Sequence, residues 1–191
     1  MKSVYSMIGL VSLILLLTGC GQGDVSEYLD GTNDYQLTDV ITSSTDSSDY
    51  SRIYTNSSKS LEQVSQELSD WKSPEESSQI VDGKQALIYD ENLVVLTSNE
   101  EGTQVEVSED DFVRDNYRPS FFNQLLTLAV LNRFLGVSDW GRLQQSRCSS
   151  LTGNGSCYSG YATSGSGYRG PTSPSPFREY SSRGGGPGSG K

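Results

Sequence analysis

Ala86-Leu87-Ile88-Tyr89, Leu93-Val94-Val95-Leu96-Thr97 and Thr103-Gln104-Val105-Glu106-Val107 are the stretches that decide the fold of this chain. Each is a short run of aliphatic, aromatic and β-branched residues, the composition of a strand. The connectors Asp90-Glu91-Asn92 and Asn99-Glu100-Glu101-Gly102 are made of turn formers. Links this short cannot hold a crossover, so the three strands are expected to run antiparallel as a meander. Leu93-Val94-Val95-Leu96 is apolar at successive positions and therefore on both faces, which places it at the centre of the sheet.

Working outward, Ser51-Arg52-Ile53-Tyr54-Thr55 reads as a further strand, giving about four in all. Asp82-Gly83 signals a turn that adds a short Ile80-Val81 arm. Ser60 with Gln63 three residues on forms a capping box, and Leu61, Val64, Leu68 and Trp71 follow as one apolar helical stripe. Lys72-Ser73-Pro74 ends that helix. Ser108 with Asp111 marks another helix start, with Phe112 and Val113 just inside. Pro119 then stands at the first turn of a helix expected from Ser120 to Leu135, stopped by Gly136. At 1.5 Å per residue that helix spans about 25 Å. Asn123, Gln124, Asn132 and Arg133 interrupt it, which rejects a membrane span. Its apolar face is wider than packing on a small sheet requires, so helix 120–135 is also a candidate surface for a protein partner, self-association or membrane contact.

The fold expected is therefore α+β, a small antiparallel sheet with two packed helices over residues 35–136. The lower boundary is soft, because Tyr35, Leu37, Val40 and Ile41 could begin a short ordered element. Residues 20–34 read as a polar tether.

Before the tether stands a secretion signal. Lys2 gives a positive start, Met7 to Leu17 an apolar run, and Leu17-Thr18-Gly19-Cys20 an ending that looks like the lipobox of bacterial lipoproteins. About a dozen apolar residues fall short of the roughly 20 that span a bilayer. The likeness implies cleavage of residues 1–19, with Leu17, Thr18 and Gly19 as recognition residues and Cys20 carrying a diacylglyceryl anchor. Two acyl chains, each contributing about 0.8 kcal/mol per buried methylene, give stable attachment. The expected location is extracytoplasmic, lipid-anchored to the cell membrane.

Charge divides the chain. Residues 20–115 hold 22 acidic and 5 basic side chains, and residues 116–191 hold 2 acidic and 8 basic. From Val137 to Lys191 the chain is rich in Gly, Ser, Tyr and Arg, a composition too poor in apolar area to offset ordering entropy. It is expected to be a disordered basic tail. Cys148 and Cys157, nine apart, would form a disulfide outside the cytosol, with free thiols or a redox pair as the alternative. Arg142, Arg147, Arg169, Arg178 and Arg183 are candidates to bind anionic lipid headgroups or wall-polymer phosphates. The compartment argues against nucleic acid, and an acidic protein or a plain spacer remains open.

Catalytic groups are thin. The chain contains no histidine, which removes Ser-His-Asp, Cys-His and imidazole–metal chemistry. Lys59, Lys72 and Lys84 fall at element ends and read as solvated rather than as a Ser–Lys base. The pairs Glu75-Glu76, Glu100-Glu101 and Asp110-Asp111 could serve a glycosidase or bind calcium, but adjacent loop carboxylates seldom hold fixed geometry. The Gly185 to Lys191 run has P-loop spacing without the strand, helix or hydroxyl that chemistry needs. No catalytic residue, metal ligand or cofactor is assigned.

The lipobox, Ile53-Tyr54, Pro74-Glu75-Glu76-Ser77, Leu87-Ile88-Tyr89, Val105-Glu106-Val107, Tyr117-Arg118-Pro119-Ser120-Phe121 and a Gly-, Tyr- and Arg-rich end together resemble the bacterial lipoproteins of domain-of-unknown-function family 4247. The resemblance covers Tyr35 to Gly136 and implies a mature lipoprotein of a mostly Gram-positive type, with no activity to carry over. The function expected is a non-enzymatic envelope binding or assembly factor. A carboxylate-dependent envelope hydrolase and a structural spacer are the alternatives.

Overall fold

Six antiparallel strands form one sheet in the computed structural model, which describes residues 23–43, 46–151, 157–166 and 168. In chain order the elements are α1 (Val25–Asp30), β1 (Gln36–Thr42), β2 (Tyr50–Asn56), α2 (Leu61–Trp71), β3 (Glu76–Ser77), β4 (Lys84–Tyr89), β5 (Asn92–Asn99) and β6 (Gly102–Glu109). They are followed by α3 (Asp110–Asn116), a 3-10 turn (Pro119–Phe122), α4 (Leu128–Phe134), α5 (Trp140–Ser150) and α6 (Tyr161–Ser164). The strand order is β1-β2-β6-β5-β4-β3.

The meander β4-β5-β6 forms as expected, with β5 and β6 at the centre. Leu93 pairs with Ser108 and Leu96 with Val105 across that central seam. The tight β5–β6 turn closes on Gly102, whose φ of +126° favours glycine and where a Cβ would lie 2.2 Å from the Asn56 carbonyl oxygen. The sheet exceeds the expected four strands at both edges. β1 grows out of the Tyr35 to Ile41 spacing. β3 is only two residues long and follows Pro74, so it gave no periodic signal. Backbone bonds hold it: Glu75 N donates to Ile88 O at 2.8 Å and Ser78 N to Ala86 O at 2.9 Å.

Strand alternation sorts the core into two layers. Leu87, Tyr89, Val94, Leu96, Val105 and Val107 face α1 and α2, where Val25, Leu29, Leu61, Val64 and Leu68 cover them. Ala86, Ile88, Leu93 and Val95 face the other way, under Phe112, Val113, Tyr117, Phe122, Leu131, Trp140 and Tyr158. Helices therefore lie on both faces, and the α+β class stands with more helices than two.

Three expectations are corrected here. Residues 20–34 are not all tether, because α1 packs Val25 and Leu29 into the core at 1% and 0% exposure. Two apolar side chains four apart suffice to anchor one and a half turns, although the surrounding sequence is polar. The helix expected over 120–135 is divided. Pro119 opens a 3-10 turn that ends at Phe122, and the Thr127 hydroxyl accepts from Val130 N at 3.3 Å to start α4 afresh. The break lets Phe122 and Leu131 both reach the sheet, which a single straight helix with apolar residues all round could not do. Gly136 does end α4, at φ +64°. Finally, the tail does not begin at Val137. Trp140 is fully buried, its indole N–H donating to Arg114 O at 2.9 Å, and Tyr158 is equally buried. A few large aromatic residues hold down a segment whose average composition is that of a linker.

The capping box of α2 is present: Ser60 N donates to Gln63 Oε1 at 2.9 Å, and Gln63 N to Ser60 Oγ at 3.4 Å. Among the described residues no helix is long and apolar enough to cross a membrane.

Candidate functional site

A shallow, open groove lies along one face of α2 beside Tyr28 of α1, and two of its lining residues, Tyr28 and Trp71, are aromatic. Tyr28 stacks on Trp71 with ring centroids 4.5 Å apart and planes at 22°. Trp71 is backed by Tyr89 at 6.4 Å, a buried tyrosine whose phenol is pushed up to about 12 by burial. Gln63, Gln66, Glu67, Asp70 and Trp71 recur at three- and four-residue steps and so share one face of α2, and with Tyr28 and Lys59 they line the groove. Glu67 organises it. Its carboxylate accepts from Tyr28 OH at 3.1 Å, Tyr35 OH at 3.0 Å and Lys59 Nζ at 2.8 Å. Lys59 also donates to Asp34 at 2.6 Å, and hydrogen bonds to Asp34 and then Glu67 hold its ammonium above the ordinary lysine range. Burial, then the Glu67 hydrogen bond, raises the Tyr35 phenol.

A second constellation lies on the opposite face of the sheet. Glu106, on β6, is 2% exposed. Tyr117 OH donates to its Oε1 at 2.7 Å and Ser51 Oγ at 3.2 Å, while Tyr161 N donates to Oε2 at 2.9 Å. Ser108 supports Ser51 at 2.8 Å. Burial raises the Glu106 carboxyl despite these donors, which favour the charged form. Its lid is a strap of chain from Cys157 onward. Tyr158 N donates to Asn116 O at 2.8 Å, Arg118 N to Tyr158 O at 2.9 Å, and Tyr161 OH to Asp39 at 2.9 Å. A disulfide between Cys148 and Cys157, with S–S 2.03 Å, ties the strap to α5, so the free-thiol alternative does not hold.

The family model of a domain of unknown function, DUF4247, matches residues 13–190. The chain belongs to this family. The match takes in the groove, the strap and the C-terminal stretch, a longer span than Tyr35 to Gly136. Neither a curated protein nor a solved structure matches the chain.

Within this DUF4247 chain the sequence-derived candidates scatter. Leu17, Thr18, Gly19, Cys20, Arg169, Arg178 and Arg183 lie outside the described residues. Arg142 is exposed on α5, within 3.6 Å of Asp139. Arg147 is not on a free arm: it is 8% exposed, donates to the Asp115 carbonyl, and burial pushes its guanidinium down. Lys59 is paired rather than solvated, and Lys72 meets Asp90 at 2.7 Å. Of the acidic pairs, Glu76 bonds Arg133 at 2.6 Å and Asp111 pairs with Arg114, while Glu100 and Glu101 sit exposed at the β5–β6 turn. Among the described residues no group of three or more potential ligands could hold a metal ion. On the 120–135 stretch, Leu128 stands 48% exposed.

Sequence reasoning passed over Glu106 and the groove. Glu106 alternates with Val105 and Val107, which reads as a solvent-facing polar position, and only the tyrosines of the presumed tail hinted at a cover. Tyr28 lay in the presumed tether, and Trp71 looked like the end of a core stripe.

Proposed function

We propose that this DUF4247 chain is a lipid-anchored binding or assembly module held against the outer face of the cell membrane through Cys20. The observation that carries the reading is the start of the folded body. α1 begins at Val25, and Val25 and Leu29 are locked in the core. At 3.3–3.6 Å per residue, Cys20 and Val25 are separated by at most about 18 Å. A diacylated Cys20 would then fix a rigid body at the headgroups rather than trail it on a long leash.

Binding fits the site better than catalysis does. The groove carries aromatic rings and carboxylates engaged by tyrosines and a lysine, while Glu106, a deeply buried carboxylate, is sealed under the strap and Asp115, buried completely, is also closed off from solvent. The hydrolase alternative would draw on acidic pairs that stand apart from one another. Arg142, Arg169, Arg178 and Arg183 remain the residues through which anionic lipid or wall polymer would meet the C-terminal part, and the exposed Leu128 marks where a protein partner would meet α4. Replacement of Cys20 by Ser, followed by membrane fractionation and labelling with a fatty-acid analogue, tests the anchor. Release from membranes with loss of label is expected. Retention of an unlabelled protein on the membrane would refute it.

A further inference from the structure

We infer that the Tyr28–Trp71 groove binds the pyranose rings of an uncharged glycan. The site stands on its own geometry, and the choice of a glycan as its ligand rests on the envelope-binding reading above.

Three observations select that chemistry. Tyr28 and Trp71 stack and share one ring face between them, with Tyr89 tilted against Trp71, so the pair offers a ligand its outer ring surface and edges as a fixed unit. A rigid aromatic surface offers large contact area at low conformational-entropy cost, and the C–H face of a sugar ring is a flat apolar partner for it. The rim supplies amides and carboxylates at the spacing of one helix face. Gln63 uses its carbonyl oxygen on Ser60 N and Gln66 uses one N–H on Asp70 at 2.8 Å. By valence this leaves amide donors on Gln63 and an acceptor on Gln66, the mixed set that a hydroxyl-rich ligand requires.

Charge removes the competing ligands. Among the described residues that line the groove Lys59 is the one cation, and Asp34 and Glu67 already match it. A phosphate or carboxylate would find no surplus positive charge there. Glu67 and Asp70 would repel an anionic bilayer, although half-buried tyrosine and tryptophan near an anchored terminus could otherwise suit a membrane interface.

The two tryptophans make the test direct, because Trp140 is fully buried and Trp71 is half-buried. In full chain carrying Cys20→Ser and Trp140→Phe, Trp71 is the sole indole. Titration with a soluble β-1,4-linked N-acetylglucosamine tetramer should give a saturable change in its emission. Calorimetry on the chain that keeps Trp140 provides the same reading should Trp140→Phe not fold. Trp71→Ala should weaken binding about ten-fold or more, the loss of a central aromatic contact. A flat titration of folded protein at millimolar tetramer, or binding undiminished in Trp71→Ala, overturns the inference. So does binding to phosphatidylglycerol vesicles that Trp71→Ala abolishes, since that would make the groove a membrane contact. Failure of Cys20→Ser to release the protein leaves the titration standing, so the anchor and the groove fail separately.

Discussion

The face of the sheet beneath α1 and α2 is packed with Val25, Leu29, Leu61, Val64 and Leu68 on mainly aliphatic strand residues beside Tyr54 and Tyr89, whereas the opposite face carries Phe112, Tyr117, Phe122, Trp140 and Tyr158 around a buried carboxylate. The first face is closed by helices with ordinary apolar stripes. The second is closed by short helices, a 3-10 turn and a strap, which add Val113, Leu131 and Leu135 to a cover dominated by large rings. Phe112 meets Tyr117 at 6.2 Å and Tyr158 at 5.5 Å, and Tyr117 meets Tyr158 at 4.9 Å, all edge to face. The Tyr117 hydroxyl also carries a donor into the interior, which makes a buried Glu106 tolerable. An aromatic cover can thus do what an aliphatic one cannot, namely exclude water and satisfy a polar group with the same side chain.

The largest effect expected is at the centre of the aromatic face. Phe112→Ala should cost about 3–5 kcal/mol, as truncation of a fully buried ring removes its transfer energy and leaves a cavity. Leu68→Ala, on the mainly aliphatic face, falls in a range that starts lower, about 2–5 kcal/mol. Urea denaturation of both variants measures the difference, and equal costs would erase the distinction between the faces. Next comes the staple. Cys148→Ser with Cys157→Ser removes a ring of nine-residue separation, worth about 2–3 kcal/mol on the loop-entropy argument. Hydrogen exchange should then quicken in α5 and the strap, while α2, on the far face, keeps its protection. Equal quickening in α2 would show that the two faces open as one.

The aliphatic face was also the legible one. Ser60 with Gln63, the stripe from Leu61 to Trp71, and the apolar runs at Leu87 and Leu93 are local patterns, and local patterns survive averaging over a window. Gly136 and Pro119 punctuated the chain as expected. What escaped was non-local. Val25 and Leu29 look like two isolated apolar residues until Tyr54, Val107 and their neighbours cover them. Trp140 and Tyr158 sit among glycines and serines, and only their contacts with Arg114, Asn116 and Phe112 make that segment part of the body. Thr127 divides a long apolar stretch because Phe122 and Leu131 must meet the same sheet from two directions. The disulfide could be anticipated from cysteine spacing and compartment. The groove could not, because it needs Tyr28 from one helix against Trp71 from another.

The smallest expected change is one of slope rather than level, and it concerns the group that most separates the two faces. Burial raises the Glu106 carboxyl above its ordinary 4.5. Below that value the carboxyl is protonated in both the folded and the unfolded chain and contributes no pH dependence. As pH rises past it, the unfolded chain ionises first while the folded chain holds its proton, so the unfolded state binds fewer protons and stability falls. The fall ends above the folded-state value, where both are ionised. Glutamine cannot titrate, so Glu106→Gln removes this slope. Glu109 and Asp110 are raised too, and their burial bends stability in the same direction. They are common to both proteins and cancel in the comparison. The stability of the parent relative to Glu106→Gln, taken from urea midpoints at about pH 5 and about pH 8, should therefore decline with pH. A constant difference would mean that Tyr117, Ser51 and the Tyr161 N–H offset burial fully, and that the aromatic cover solvates a carboxylate as well as water does.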